Sequence, residues 1–223
     1  LNRRKQLFYN DESFFNSRSN SKINLKGYFY ELGMLYKKSL STEKAISFGI
    51  TFNNNSSISA KRTNLVETFS NVNEAVQDTA LSTLESGDAT LPQYINTGIS
   101  YRNSEKWLLI ADYSMQNWAD YSLFDEGDDL NNSMSISAGL QYTPEFNSVT
   151  KYYKRMQYRL GGAYSNTPLT LNDTQLKEMS VSFGIGIPVR KSRTKYDVSL
   201  TVGQRGTTDN NLIKEQFVRF GLS

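Results

Sequence analysis

The sequence predicts an all-β chain, a transmembrane up-and-down antiparallel β-barrel of the outer-membrane kind. Three observations predict it. Apolar and polar side chains alternate with a period of two in about nine separate stretches. These stretches run to roughly ten or more residues, about twice the usual strand length in soluble sheets. Their connections alternate between brief and long, as periplasmic turns and external loops do in outer-membrane barrels.

Ser133 to Tyr142 is the cleanest case, with Met134, Ile136, Ala138, Leu140 and Tyr142 on one face and Ser133, Ser135, Ser137, Gly139 and Gln141 on the other. In chain order, the first alternating stretch is Asn24 to Lys37, with Tyr28, Tyr30, Leu32, Met34 and Tyr36 opposed to Gly27, Glu31 and Gly33. Ala45 to Asn53 sets Ile46, Phe48, Ile50 and Phe52 against Ser47, Gly49 and Thr51. Gln93 to Arg102 and Trp107 to Tyr121 follow, the second with Leu109, Ala111, Tyr113 and Met115 outward. After the Ser133 stretch, Tyr152 to Ser165 opposes Met156, Tyr158, Leu160 and Tyr164 to Arg155, Gln157, Arg159 and Gly161. Glu178 to Arg190 places Met179, Val181, Phe183, Ile185, Ile187 and Val189 against Ser180, Ser182, Gly184 and Gly186. Lys195 to Arg205 and Leu212 to Ser223 complete the series, with Val198, Leu200 and Val202, then Val218, Phe220 and Leu222, toward lipid.

Brief links are expected near Ser39 to Glu43, Asn103 to Glu105, Asn147 to Thr150 and Lys191 to Arg193. Long ones are expected at Asn54 to Thr90, Ser122 to Asn132, Asn166 to Gln175 and Gly206 to Asn211. In the longest, Val72, Ala75, Val76 and Ala80 recur at helical spacing. Nine strands beginning and ending in the same direction leave an odd number upstream, so residues 1–223 are read as the C-terminal portion of a single barrel domain. The chain starts at Leu1 without an initiator Met or signal peptide, as expected of a mature or truncated sequence.

Composition narrows the chemistry. A mean hydropathy of −0.54 and the lack of any long apolar run exclude a membrane helix. They do not exclude a barrel, whose strands meet lipid only at alternate residues. Tyrosine (14) and phenylalanine (12) are abundant enough to furnish interfacial girdles. The chain has neither cysteine nor histidine, which removes thiolate and imidazole metal sites and the usual nucleophile–base pairs. A net charge of +3 from 25 basic and 22 acidic residues gives no nucleic-acid footprint.

Three stretches carry a family likeness: Leu91-Pro92 through Tyr101 with the following Lys106 to Tyr121 strand and its Gln116-Asn117-Trp118, Phe183 to Pro188, and Gly203 to Thr208 leading to Leu212 to Glu215. Together they resemble the C-terminal part of FadL-type outer-membrane proteins, the long-chain fatty-acid and hydrocarbon transporters. The resemblance implies a fourteen-stranded barrel with an N-terminal plug and a lateral exit for hydrophobic molecules. Related barrels also act as accessory subunits of secretion and assembly machines.

Candidate sites follow from the inward rows. Glu31, Asp112, Arg155, Arg159, Glu178, Lys195, Asp197, Arg205, Glu215 and Arg219 fall on the polar faces. Arg155 and Arg159 beside Glu178, and Asp197 near Arg219, are expected to pair, because an unpaired ion in a narrow interior is costly. Such pairs either orient a carboxylate headgroup or fill and stiffen the barrel. Asp125, Glu126, Asp128 and Asp129 around Gly127 are a weak Ca²⁺ candidate that departs from the calcium-loop spacing. Trp107 and Trp118 read as anchors at opposite ends of one strand, although strict alternation turns Trp118 inward.

The sequence therefore points to the bacterial outer membrane, with the bilayer as partner and with no cofactor, catalytic residue or nucleic acid. Its first functional reading is passive uptake of small hydrophobic compounds. The second is a non-transporting accessory or scaffold barrel that holds other outer-membrane proteins of a secretion or protein-assembly complex.

Overall fold

The computed structural model describes residues 2–7, 15–70, 75–127, 129–189 and 194–223. Among them the alternating stretches become antiparallel strands: β1 (Asn2–Leu7), β2 (Asn16–Lys26), β3 (Leu32–Ser39), β4 (Lys44–Asn53), β5 (Ser56–Phe69), β6 (Val76–Leu91), β7 (Tyr94–Asn103), β8 (Trp107–Gln116), β9 (Ser122–Leu123), β10 (Glu126–Gly127), β11 (Ser133–Tyr142), β12 (Gln157–Leu171), β13 (Thr174–Pro188), β14 (Lys195–Arg205) and β15 (Glu215–Leu222). The only helical pieces described are three short 3₁₀ segments. The fold is all-β. The chain divides into two units: 1–29 with 55–91 and 120–128, and 30–54 with 92–119 and 129–223.

The larger unit is a nine-stranded sheet in the order β15-β14-β13-β12-β11-β8-β7-β4-β3. Its register aligns the alternation of every strand, as a two-residue period demands once one face is apolar. One row runs Lys38, Ile46, Tyr101, Leu109, Leu140, Leu160, Phe183, Leu200, Phe220. The next on the same face runs Tyr36, Phe48, Ile99, Ala111, Ala138, Gly162, Val181, Val202, Val218. Between them, on the opposite face, lie Lys37, Ser47, Ser100, Ile110, Gly139, Gly161, Ser182, Thr201 and Arg219.

The expected nine strands are thus present as one sheet, which among the described residues does not close into a barrel. The sheet ends at β3 and β15. In an up-and-down run of nine, these edges point the same way, so pairing them would be parallel and would break the antiparallel pattern.

The smaller unit is a six-stranded sheet, β1-β2-β5-β6-β9-β10. It holds the buried Ala60, Phe69, Ala89 and Phe124. Ile23, Ile58 and Leu123 pack around the Ala60, Ala89 and Phe124 cluster. Arg62 stacks 4.2 Å over the Phe124 ring and pairs with Glu85 at 3.0 Å, and Arg18 pairs with Glu67 at 2.6 Å.

Several local expectations are corrected. Asn24 to Lys37 is not one strand, because the chain leaves the ladder from Gly27 to Glu31. A Cβ at Gly27 would fall 2.5 Å from the Ile58 Cβ, so only glycine allows that approach. Asn54 to Thr90 is not a loop with a helix but the long β5–β6 hairpin, in which Val76 and Ala80 are strand residues; Val72 lies outside the described residues. Two register shifts, between Val66 and Glu67 and between Thr68 and Phe69, break the period of two there.

Asn166 to Gln175 is likewise strand for most of its length, with a shift between Asn166 and Thr170. Asn172 and Asp173, at φ 47° and 59°, form the two-residue turn between β12 and β13. Asn and Asp suit a turn with both central residues left-handed. The connection from β11 to β12 is not a brief link at Asn147 to Thr150. It runs from Thr143 to Met156 and contains a 3₁₀ turn at Tyr152–Arg155. The brief link at Lys191 to Arg193 lies outside the described residues.

Candidate functional site: the two faces of the nine-stranded sheet

Among the described residues, nothing in the larger unit covers its apolar rows. Phe183 is 55% exposed, Val202 48%, Val218 70% and Phe220 68%. Mainly apolar rows aligned across nine strands and left open in this way require an apolar medium, because burying such surface is worth about 25 cal/mol per Å². Ten-residue strands are roughly 31 Å long and, tilted by about 40°, span roughly 23 Å, close to the apolar band of an outer-membrane sheet. Val181, Phe183, Ile185, Val198, Leu200, Leu140 and Phe220 share this face, with Ser182, Gly184, Ser199 and Gly139 on the other.

Aromatic rings mark the ends of the band. Trp107, Tyr142 and Tyr158 stand side by side across β8, β11 and β12. The Trp107 and Tyr142 rings lie 4.3 Å apart. At the other end Tyr113 and Tyr164 flank Ile136. Trp118 is not the second anchor on the β8 strand, which ends at Gln116; it begins a 3₁₀ turn instead.

The polar face carries the candidate charges, and the structure pairs them differently from the sequence expectation. Arg159 does not meet Glu178. Its Nη1 donates to Asp197 Oδ1 at 2.7 Å, its Nε to Gln141 Oε1 at 2.9 Å and its Nη2 to Gln157 Oε1 at 2.5 Å. Lys195 stands 3.4 Å from the second Asp197 oxygen. The guanidinium crosses β13 to reach β14, and glycines at 184 and 186 clear its way. A Cβ at Gly186 would come 2.9 Å from Asp197 Oδ1 and 3.0 Å from Gln157 Oε1.

Glu178 pairs with Arg205 instead, at 2.6 Å, and Glu215 lies directly across from Arg205 on β15. Arg219 faces Thr201, away from Asp197, and its guanidinium lies 5.4 Å from the Phe217 ring. Arg155 is off the strand, in the 3₁₀ turn. Asp112 sits over Gly98, where a Cβ would meet its carboxylate at 2.5 Å. Glu31 accepts a hydrogen bond from the Tyr94 hydroxyl.

Beside this network the polar face is hollow. A concavity of about 610 Å³ is lined by Leu108, Ile110, Gln141, Arg159, Asp197 and Ser199. Since Arg159 is spent on three acceptors, it holds strands together and offers little to an incoming anion. Gln141, Gln157 and the paired glycines are the parts that charge counting overlooked; their only sequence signal is Gly-x-Gly at 184 and 186 in an inward row.

In the β11–β12 connection, Lys154 donates to Glu145 at 2.9 Å. This bond and the nearby ammonium hold the Glu145 carboxyl below its ordinary value, and the same bond with the Glu145 carboxylate raises the Lys154 ammonium. The acidic loop is divided between the two units. Asp125 (φ 60°) and Glu126 belong to the smaller unit, Asp129 to the larger, and Asp128 lies outside the described residues. Among the described residues no three acidic side chains gather as a metal would need.

An antiparallel sheet with one open apolar face, an aromatic border and a tied polar face defines an outer-membrane β-protein. Over residues 2–223 the chain matches the family described as BamG and belongs to it, a family of the bacterial outer-membrane protein assembly (Bam) machinery. Its place is therefore the bacterial outer membrane. The family match overturns the FadL-type resemblance. The stretches that carried it are strands with their turns, which any outer-membrane sheet requires, so they mark the wall and not the family. No curated protein matches the chain.

Proposed function

We propose that the chain is a non-transporting accessory subunit of the outer-membrane protein assembly machinery. In this reading the nine-stranded sheet is a lipid-facing wall held in shape by its polar-face network, and its partners are other outer-membrane proteins. The family match carries the proposal. The Arg159–Gln141–Gln157–Asp197 network supports it, because a face that spends its cation internally suits a stiff support. The role is non-catalytic in this reading, and the ion pairs Arg159–Asp197 and Arg205–Glu178 tie strands to one another.

The test is depletion in the native host. Levels of several unrelated outer-membrane barrels should fall together, and the tagged chain should co-purify with other subunits of the assembly machinery. Normal barrel levels and the absence of any such subunit would refute the role.

A further inference from the structure

The six-stranded sheet has two very different edges. β1, at one end, presents Lys5, the kind of charge that discourages strand addition. β6 pairs with β5 along its length but with β9 only at Ala89 and Thr90. On that side, among the described residues, nothing pairs with the stretch from Val76 to Gly87. Every residue from Val76 to Ser86 is exposed, with Leu84 at 71%. The strand has no Lys, Arg or Pro to guard it and carries Asp78, Glu85 and Asp88.

The direction of its free backbone groups can be read from one bond. The Asp88 carbonyl accepts the Phe124 N–H at 2.9 Å on the β9 side. Alternation then aims the N–H and C=O of Ser82, Leu84 and Ser86 the same way, while Thr83 and Glu85 bond to β5. Both register shifts of the β5–β6 pair lie before Leu81, so Leu81 to Gly87 is a regular edge, about 24 Å long.

We propose that this edge receives an extended, basic segment of another protein of the assembly machinery by β-strand addition. The inference rests on the accessory-subunit reading. Backbone groups of Ser82, Leu84 and Ser86 supply the ladder, and Asp88 at one end of it with Asp78 beyond the other favours a cationic strand, Glu85 being paired already with Arg62. Ser82, Thr83, Glu85 and Ser86 beside that ladder suit a mainly polar strand with an apolar residue or two for Leu81 and Leu84; a lipid-facing strand would leave most of its apolar row in water. A second copy offering its basic β1 is disfavoured because such head-to-tail pairing does not terminate.

The experiment compares hydrogen exchange in the complex purified from native membranes with that of the chain stripped from it, resolved to single amides. The Ser82, Leu84 and Ser86 amides should exchange at least tenfold more slowly in the complex, with Thr83 and Glu85 protected in both. Leu84→Pro deletes only an outward donor, and together with Ser82→Lys/Ser86→Lys as an independent edge block it should lower recovery of the bound partner at least tenfold. Leu84→Ala should not.

Retained Thr83 and Glu85 protection shows that Leu84→Pro has folded; if it has not, the lysine variant decides. A photo-cross-linker at Ser86 should join one basic extended segment of a partner subunit. Equal exchange at the three amides in both samples overturns the inference while leaving the accessory role intact, and so does an adduct with a second copy of the chain. A purified sample without any assembly subunit overturns the role itself, and this inference with it.

Discussion

The two sheets are made from the same kind of strand, yet they solve the hydrophobic problem in opposite ways. The six-stranded sheet buries Phe124, Ala60 and Ala89 within the protein and stacks Arg62 over the phenyl ring. The nine-stranded sheet buries no large apolar side chain and leaves Phe220 and Val218 more than two-thirds exposed. One unit carries its own apolar interior and the other relies on its surroundings for one. Stability in the first is therefore read from protein contacts, and in the second from which face meets lipid.

The largest effect should separate the two units. Phe124→Ala should cost the six-stranded sheet about 3–5 kcal/mol, since a buried ring leaves a cavity. Phe220→Ala should cost far less, because lipid or detergent fills the space. Thermal melts of both variants in the same detergent check this, and equal losses would erase the distinction.

The faces of the larger sheet can be set against each other next. Val181→Arg puts a charge in the middle of the apolar rows and should cost roughly 2–4 kcal/mol in a bilayer. Ser182→Arg, one residue away on the polar face, should cost less. Folding titrations into lipid vesicles measure both, and the reverse order would mean that the faces are exchanged.

A smaller effect is expected where the polar face is crowded. Gly186→Val presses on Asp197 and Gln157 and should destabilise by about 1–3 kcal/mol through overpacking. Asp197→Asn should remove most of the additional penalty if the Arg159 bridge is what valine disturbs. A double-mutant cycle on thermal stability would show this coupling, and additive losses would deny it.

The smallest effect lies outside the sheet. Glu145 is depressed by Lys154, so its contribution is complete above the ordinary value of 4.5 and disappears as pH falls through its lower folded value. Lys154 is raised, so its share is complete below 10.5 and is lost as pH climbs past its folded value. Protease nicking between Thr143 and Met156 should rise slightly at both extremes, and Glu145→Gln should flatten the profile.

Much of this was legible in the sequence, and the reason is geometric. A period of two, held by Met134 to Tyr142 and by Met179 to Val189, assigns each side chain to a face before any partner strand is known. All nine strands of the larger sheet, and the opposition of Phe183 to Ser182, follow from it. The β5–β6 hairpin was hidden because its bulges reset the period, and the β12–β13 extension because Asn172-Asp173 is a turn only two residues long. Charge pairing was illegible for another reason. Which carboxylate Arg159 meets depends on strand register and on side-chain reach across β13, and neither is a property of one strand.

The sequence by itself determined the all-β class, the strand faces and the membrane address, since these depend on local alternation and composition. Tertiary structure alone decided that β2, β5 and β6 belong to a second sheet, that Arg159 reaches Asp197 over Gly184 and Gly186, and that among the described residues β6 keeps an open edge. Each of those depends on which strands become neighbours, and neighbours far apart in the chain are chosen by the fold as a whole.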